Sequence, residues 1–112
     1  MVFVESIPFT QQREQYLSDD ELASIQADLI RRPRSGPVIK GTGGLRKLRV
    51  QLKSYGKGKR GGARLIYLYL PDRSRIHFLL IYGKEQVDDI TQDQKKVLKG
   101  FADSIKKSEN ST

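Results

Sequence analysis

Residues 45–53 read Leu-Arg-Lys-Leu-Arg-Val-Gln-Leu-Lys, a stretch in which apolar and polar side chains alternate. In an extended chain the apolar side chains at positions 48, 50 and 52 fall on one side, and the polar ones at 47, 49, 51 and 53 fall on the other. A period of two is the period of a β-strand. The stretch therefore predicts a strand that buries one face and presents a row of cations on the opposite face.

The sequence that follows predicts a second strand beside the first. Residues 53–63 are rich in Gly and cations and offer almost nothing to bury, so they are expected to form a long connection. Residues 64–70 read Arg-Leu-Ile-Tyr-Leu-Tyr-Leu, an almost continuous apolar run typical of a strand covered on both faces. The interpretation is a pair of neighbouring strands with cations converging from the first strand, the loop and the start of the second.

The N-terminal third of the chain predicts a strand and two helices. Val2–Val4 reads as a short strand that joins the sheet, and residues 10–17 as one or two turns of helix. Ser18 and Glu21 have the spacing of a capping box, in which each side chain satisfies a free backbone amide at a helix start. The apolar stripe Leu22, Ile25 and Leu29 follows, and Pro33 ends the helix.

The remaining elements complete an α+β fold of the order β-α-α-β-β-β-α, with a small antiparallel-rich sheet packed against helices on one side. Residues 41–44 (Gly-Thr-Gly-Gly) are expected to supply turn conformations, and not a nucleotide-binding loop, because no strand precedes them and no helix follows. Pro71–Ser74 predicts a tight turn, and residues 75–82 a central strand. Thr91 and Gln94 predict a second capping box, which opens an amphipathic helix with apolar positions 97, 98, 101, 102 and 105. We expect residues 1–112 to form a single domain with a frayed tail at 107–112.

The charge of the chain is unevenly distributed. The net charge is +8, and the segment between Asp28 and Asp72 contains 12 of the 21 basic residues and none of the 13 acidic ones. A localised basic field predicts a polyanionic partner, either a nucleic acid or an acidic protein segment. The alternative, a solvated surface without a partner, usually intersperses both signs of charge.

Several classes of chemistry are disfavoured by composition. The chain has no Cys, which excludes disulfides and thiolate chemistry and fits a reducing cytoplasm. No signal-peptide pattern or membrane-length apolar stretch is present, so we expect a cytoplasmic protein without a membrane partner. The single His77 lies in an apolar strand, where a packing or surface role is commoner than a catalytic one. No spacing of His, Asp and Glu resembles a metal site, so no metal or other cofactor is expected.

What remains is a cluster of cations near Tyr55 and Tyr82. Such a cluster can bind a phosphodiester, and in RNA it can also assist cleavage, because the 2′-OH is a built-in nucleophile. Arg suits the stabilisation of charge on the phosphorane, since its fork matches phosphate oxygens and it remains charged. A Lys crowded by other cations has a lowered pKa and can act as an acid or base. From the residues alone, binding without catalysis stays the safer interpretation.

Three runs of this sequence resemble the HigB branch of the RelE/ParE toxin superfamily. They are Gly-Thr-Gly-Gly-Leu-Arg-Lys-Leu-Arg-Val at 41–50, Gly-Lys-Gly-Lys-Arg-Gly-Gly-Ala-Arg-Leu-Ile-Tyr at 56–67, and Ile-Tyr-Gly-Lys at 81–84. The resemblance extends over residues 2–105, and the predicted order of elements is the one that the superfamily adopts. It implies a toxin of a bacterial type II toxin–antitoxin module that cuts messenger RNA in the ribosomal A site without a metal.

The resemblance also implies roles for individual residues. Arg64 matches the Arg that stabilises the transition state, and Lys47 and Arg49 match basic residues that bind phosphate and transfer protons. Tyr82 would stack on a base or orient the RNA, and Lys84 matches basic residues after the last strand. The remaining cations would contact ribosomal or messenger RNA; they are Arg46, Lys53, Lys57, Lys59 and Arg60. The sequence departs from RelE at Glu85 and Thr91, where RelE has Arg and a functional Tyr.

Three functions are compatible with these patterns. The first is a ribosome-dependent mRNA endoribonuclease, monomeric by itself, with the 70S ribosome, mRNA and a cognate antitoxin as partners. The second is a ParE-like toxin that traps DNA gyrase on the same fold. The third is an RNA-binding module without catalysis. The combination of Lys47, Arg49 and Arg64 favours RNA cleavage over the gyrase function, because gyrase toxins generally lack this basic set.

Overall fold

The computed structural model describes residues 1–51, 62–84 and 90–110. Within these ranges it has the predicted order of strands and helices, with a short 3-10 turn at Pro71–Arg73. The elements are β1 (Val2–Glu5), α1 (Ile7–Tyr16), α2 (Asp19–Arg31), β2 (Arg46–Val50), β3 (Ala63–Leu70), β4 (Arg75–Gly83) and α3 (Gln92–Asn110). β2 ends at Val50, and the last two residues of the predicted strand, Leu52 and Lys53, lie outside the described residues.

The four strands form one mixed sheet in the order β1-β4-β3-β2. β2 pairs with β3 and β3 with β4 in antiparallel fashion, whereas β1 runs parallel to β4. The predicted antiparallel-rich sheet is therefore confirmed, and so are the inclusion of residues 2–4 and the central position of residues 75–82. A register shift between Ile66 and Tyr67 adds one residue to β4 and locally bends the pairing.

Both faces of β3 are buried, as its apolar run predicts. Leu65 and Tyr67 pack with the side chains of α1 and α2 in one cluster, while Ile66 and Leu68 pack with Leu98 of α3 in another. The helices therefore lie on both faces of the sheet, and the prediction that they share one side is wrong. The apolar stripe of a helix shows that it packs on a sheet, but nothing in that stripe selects the face.

The two N-terminal helices begin at Ser side chains. Ser18 and Glu21 form the predicted capping box, with both hydrogen bonds present. α1 begins three residues earlier than predicted, because the Ser6 hydroxyl accepts from the Phe9 N–H and Pro8 fits the first turn of a helix. The Ser6 hydroxyl also donates to the Leu79 carbonyl at 2.7 Å, which ties the start of α1 to β4.

The glycine-rich segment 41–44 belongs to the loop before β2 and packs against α3. Its three glycines have positive φ angles, so the predicted turn conformations are confirmed. Gly43 lies against α3, because a Cβ there would be in ordinary contact with the Ala102 Cβ at 3.6 Å and with the Asp103 carboxylate at 3.4 Å, so its φ of +74° and not a lack of space favours glycine. The Lys106 ammonium donates to the Gly43 carbonyl, which fastens the same contact from the helix side.

The C-terminal end of α3 contacts the sheet, and the helix extends to Asn110, so residues 107–110 of the predicted tail are helical. The Arg75 guanidinium donates to both carboxylate oxygens of Glu109 at 2.8 Å, and the His77 Nε2 lies 3.3 Å from one of them. The Thr91–Gln94 capping box at the other end of the helix is present as predicted. The packing role expected for His77 agrees with this position.

No helix in the described ranges has the length and apolar character needed to cross a membrane.

The Glu109 pairing predicts a pH-dependent contribution to stability. The hydrogen bond from Arg75 holds the pKa of Glu109 below its ordinary value of 4.5, against the opposing effect of burial. Because the folded-state pKa is lowered, the carboxylate stabilises the fold above its unfolded-state pKa and loses that effect as pH falls through the folded-state pKa. Glu109→Gln should therefore lower the Tm at neutral pH, and the difference from the wild type should disappear in acid.

The matched control is Asp103→Asn on the same helix, since Asp103 forms an exposed pair with Lys99. Such pairs contribute little, so its Tm should follow the wild type at every pH. Thermal unfolding followed by circular dichroism measures both variants. Equal melting curves for Glu109→Gln and Asp103→Asn at neutral pH would contradict the assignment.

Candidate nucleic-acid interface

Two cations and a tyrosine form a row across three neighbouring strands. Arg49 of β2 is the register partner of Arg64 of β3, and Arg64 is the register partner of Tyr82 of β4. Neighbouring strands lie about 4.8 Å apart, so side chains in such a row are adjacent. The side chain of Arg64 points to the same face of the sheet as Ile66 and Leu68, and Leu65 points to the other face. Further along the sheet, α3 covers the face that carries the row.

The Arg49–Arg64 pair is especially close. The Lys47 N–H donates outward to the Pro37 carbonyl, so the backbone groups of Lys47 and Arg49 turn away from β3. Arg49 and Arg64 are therefore a non-hydrogen-bonded antiparallel pair, the type with the shorter spacing of about 4.5 Å between Cα atoms. Two guanidinium groups opposite one another repel, and an anion between them relieves that repulsion.

Lys47 adds one more cation to this surface, at the next position of β2 whose side chain points to the same face as that of Arg49. It is the register partner of Ile66, which in turn faces Leu80 of β4. Leu48 and Val50 pack into the core on the α2 side, so the predicted division of this strand into an apolar face and a cationic face is confirmed. Lys47 is half-buried and Arg49 is exposed.

Arg64 differs from the other cations because it is buried. Only 8% of its surface is exposed. Its NH1 group donates to the Ala63 carbonyl at 3.2 Å, which orients the guanidinium from within its own strand. A charged group is held in such a position only where hydrogen bonds compensate for its lost hydration. Arg64 is thus the most firmly positioned cation of the row.

Gly62 brings the ends of three strands together next to Arg64. It has a φ of +60°, and a Cβ at this position would lie 2.2 Å from the Val50 carbonyl oxygen, so no other residue fits without a shift of the backbone. Its own carbonyl accepts from the Lys84 N–H at 3.3 Å. This bond holds the exposed turn that carries Lys84 beside the start of β3, two residues from Arg64.

Arg46 does not belong to this surface. It lies on the opposite face of β2, where its NH1 group donates to the carbonyls of Arg34 and Gly36 at 3.1 and 2.8 Å. Buried Tyr67 supports the same loop, because its hydroxyl donates to the Pro33 carbonyl and accepts from the Gly36 N–H. The sequence offers no signal for this role, since an Arg at the start of a basic strand has the same appearance whichever face it occupies.

The predicted contacts of the long connection lie outside the described residues. They are Lys53, Tyr55, Lys57, Lys59 and Arg60. The row therefore consists of Arg49, Arg64 and Tyr82, with Lys47 and Lys84 beside it. Among the described residues there is no group of three His, Asp or Glu side chains arranged to hold a metal ion.

Two concave surfaces border the row, and neither could be predicted from the sequence patterns. A cleft of about 740 Å³ runs along the outer edge of β2 and is lined by Arg49, by Val50 and by polar side chains of α2 such as Asp28. An apolar groove of about 450 Å³ begins at Tyr82 and continues between β4 and α3. The apolar residues Val97 and Phe101 could have indicated the groove. Their helical spacing, however, is typical of residues that pack in the core.

The arrangement has the chemistry to hold a phosphodiester group. Arg49 and Arg64 offer donors from two strands to one anion, and the buried guanidinium suits charge that develops in a transition state, because it is already oriented. Lys47 and Lys84 supply mobile ammonium groups at two sides of the row. Tyr82 adds an aromatic surface on which an unstacked base can rest.

Comparison with known proteins agrees with this architecture. The sequence profile described as the RelE toxin of the RelE/RelB toxin–antitoxin system matches residues 2–112. The free E. coli toxin RelE, in a mutant in which two arginines are replaced by alanine, superposes with a TM-score of 0.56 at 12% sequence identity. The match covers 78% of this chain and 86% of that chain. The intact E. coli RelBE toxin–antitoxin complex gives a TM-score of 0.55 at 11% identity over 73% of this chain and 94% of that chain.

The structural matches are too distant in sequence to show more than a shared fold. The profile spans nearly the entire chain, and it confirms the superfamily that the sequence analysis identified, while assignment to the HigB branch stays a prediction. The α+β fold, the mixed sheet and the order of elements agree with that assignment. The chain belongs to the RelE toxin family of toxin–antitoxin systems.

Proposed function

We propose that this protein is a ribosome-dependent endoribonuclease that cuts translated messenger RNA in the A site and so inhibits translation. The observation that carries the proposal is the row of Arg49, Arg64 and Tyr82 on one face of the sheet, with Lys47 beside it. Membership of the RelE family supports it independently. The reaction needs no metal, because the RNA supplies its own nucleophile and the cations supply the charge stabilisation.

In the proposed reaction the 2′-oxygen of one nucleotide attacks the adjacent phosphorus. A new P–O2′ bond forms, the P–O5′ bond breaks, and the products are a 2′,3′-cyclic phosphate and a 5′-hydroxyl. The proton of the 2′-OH must leave, and the departing 5′-oxygen must gain one. Negative charge accumulates on the phosphorane oxygens between these two events, and that charge is what the protein is best equipped to stabilise.

Arg64 is assigned to the phosphorane oxygens. Its burial and its bond to the Ala63 carbonyl fix the guanidinium before substrate arrives, so little reorganisation accompanies the reaction. Arg49 is exposed and directly opposite, which suits initial capture of the phosphate. The two guanidinium groups together match two non-bridging oxygens.

Proton transfer is assigned to the cations beside the row. Lys47 and Lys84 lie on either side of Arg64 along the sheet, so one of them, as the neutral amine, can accept the 2′-OH proton while the other, as the ammonium, donates a proton to the 5′-oxygen. Tyr82 is assigned to orienting the RNA by contact with a base. Which Lys acts at which oxygen follows from the direction in which the RNA crosses the sheet.

A cognate antitoxin is the expected protein partner. The RelBE structure is a complex of the related E. coli toxin with its antitoxin, and a chain of the same family would be held inactive in the same general way. The proposed activity places the protein in the cytoplasm with the 70S ribosome. The basic surface around Arg49 favours an antitoxin segment with acidic side chains.

The proposal predicts a large and specific effect of Arg64→Ala. Induced in growing cells, the wild-type protein should produce new RNA 5′ ends inside translated codons, whereas Arg64→Ala should reduce them by roughly a hundredfold or more. The cuts should also vanish when translation is blocked. Arg64→Lys, which keeps the charge but loses the fork, should retain only part of the activity.

The matched control is Arg73→Ala, which removes an exposed cation from the turn between β3 and β4. It should cut RNA as the wild type does. Circular dichroism must first show that Arg64→Ala is folded, because Arg64 is buried. Arrested growth with intact messages and damaged DNA would overturn the proposal in favour of gyrase inhibition.

The repulsion between Arg49 and Arg64 predicts a conflict between stability and function. Arg49→Gln removes one of two like charges that face each other, so the free energy of unfolding should stay unchanged or rise by up to about 1 kcal/mol while cleavage falls. Lys47→Gln should also reduce cleavage without marked destabilisation, although Lys47 faces Ile66 and no second cation. Urea unfolding measures the change at low ionic strength, where the repulsion is screened least. Marked destabilisation would show that these cations are structural and not functional.

A further inference from the structure

The apolar groove between β4 and α3 is continuous with the cation row. Leu80 and Tyr82 of β4 form one wall, Val97 and Phe101 of α3 form the other, and the open groove between them has a volume of about 450 Å³. Val97 and Phe101 are 60% and 55% exposed, which is unusual for large apolar side chains on a helix that otherwise packs on the sheet. Ile90, just before the helix, is also part of the lining.

The position of the groove relates it to the bound phosphate. Tyr82 belongs both to the groove wall and to the row, where it is the register partner of Arg64. The backbones of Arg64 and Tyr82 are therefore one strand spacing of about 4.8 Å apart, which brings a phosphate bound by Arg64 close to the entrance of the groove. An unstacked base attached to the ribose next to that phosphate reaches this distance.

The rim of the groove carries polar groups of a suitable kind. Asp93 and Gln94 lie at the start of α3, and Gln12 of α1 closes the opposite side. The Gln94 Oε1 already accepts from the Thr91 N–H, so Gln94 retains its NH₂ group as a donor. Asp93 supplies acceptors. A donor and an acceptor side by side match the hydrogen-bonding edge of a nucleobase.

We propose that this groove is the subsite for one nucleobase of the RNA, specifically a base next to the phosphate held by Arg49 and Arg64. The base lies between the apolar walls, with Phe101 and Tyr82 against its faces and its edge towards Asp93 and Gln94. This inference rests on the proposed function, because it takes the row as the phosphate site. It adds a base-reading surface on α3 that can discriminate among nucleotides.

The chemistry of the groove favours a base over the other parts of a nucleotide. No Lys or Arg is among its described lining residues, and the Asp93 carboxylate repels a phosphate. An exposed aromatic ring beside a cationic row is the usual combination for binding single strands, in which phosphates lie on cations and bases on aromatic faces. Stacking of one base contributes enough to change affinity by roughly fivefold to a hundredfold.

The experiment is a binding titration with a dinucleotide. Because a dinucleotide contains a single phosphodiester, only one of its phosphates can bind to the cation row. The probe carries a 2′-O-methyl group so that it cannot be cleaved, and companion probes lack one base or the other. Chemical shifts of the ¹⁵N-labelled full chain at low salt give the Kd and the surface affected. The variant is Phe101→Ala, and the matched control is Ile30→Ala, an equally exposed apolar side chain on α2.

We expect removal of one particular base to raise the Kd about tenfold, and Phe101→Ala to raise the Kd of the intact probe by a similar factor. The two changes together should cost no more than either alone, because both remove the same contact. Residues 93–101 should shift only with the probe that retains this base. Ile30→Ala should bind every probe as the wild type does.

The proposal is overturned if neither base affects the Kd, if Phe101→Ala behaves as Ile30→Ala does, or if no dinucleotide binds. It is also overturned if Phe101→Ala leaves RNA binding unchanged but abolishes neutralisation by a co-expressed antitoxin, since the groove would then hold a polypeptide. Cleavage is scored separately. Base-dependent binding without cleavage in cells would support the base subsite and contradict the proposed nuclease activity. Cleavage without base-dependent binding would support the nuclease activity and contradict the subsite.

Discussion

The register of β3 between β2 and β4 is the constraint on which the rest of this structure depends. Because side chains alternate along a strand, a slip of one residue would move Arg64 to the opposite face and turn Leu65 and Tyr67 away from their own core. Burial on both faces of β3 opposes such a slip. The same packing that stabilises the sheet therefore fixes Arg64 between Arg49 and Tyr82.

The proposed RNA-binding surface occupies the end of the sheet that α3 does not cover completely. Further along the same face, Leu68 and Leu79 lie beneath Leu98 and Ala102 of α3. Towards Arg64 the helix no longer covers the strands completely, and the apolar groove opens beside Tyr82. α3 thus has two functions in this account: its middle closes the second core, and its N-terminal half forms a wall of the proposed base subsite.

Residues far from the row determine where α3 lies. Glu109 pairs with Arg75 and His77 at one end of the helix, and Lys106 bonds the Gly43 carbonyl beside it. These contacts join the C-terminal end of the chain to the start of β4 and to the loop before β2. Both contacts therefore help to position the helix that forms one wall of the groove, although neither belongs to the row of Arg49, Arg64 and Tyr82.

Local patterns in the sequence were sufficient to predict the elements. The alternation around Leu48, the two capping boxes and the apolar run after Arg64 each depend on neighbouring residues, and each was found as predicted. The cationic face of β2 and the central place of β4 followed from the same patterns. Part of the site could thus be predicted, because the row is built from adjacent strands of simple periodicity.

Features that depend on distant contacts could not be predicted. The face on which α3 packs, the pairing of Glu109 with Arg75 and the attachment of Arg46 to the loop carbonyls each involve residues far apart in sequence. The exposed face of Phe101 had the spacing of a core stripe, and only the tertiary structure shows that the sheet leaves it uncovered. Sequence periodicity indicates that a face is apolar, whereas the partner of that face is a global property.

The central claim is that this surface promotes attack by a ribose 2′-OH on the adjacent phosphate. The most direct test supplies the purified protein with translating ribosomes whose message carries a single 2′-deoxy nucleotide at the cleaved position. The account predicts that cleavage there is lost, and that the unmodified message yields a 2′,3′-cyclic phosphate end. Undiminished cleavage of the deoxy-substituted message would contradict it, because the nucleophile would then have to come from elsewhere.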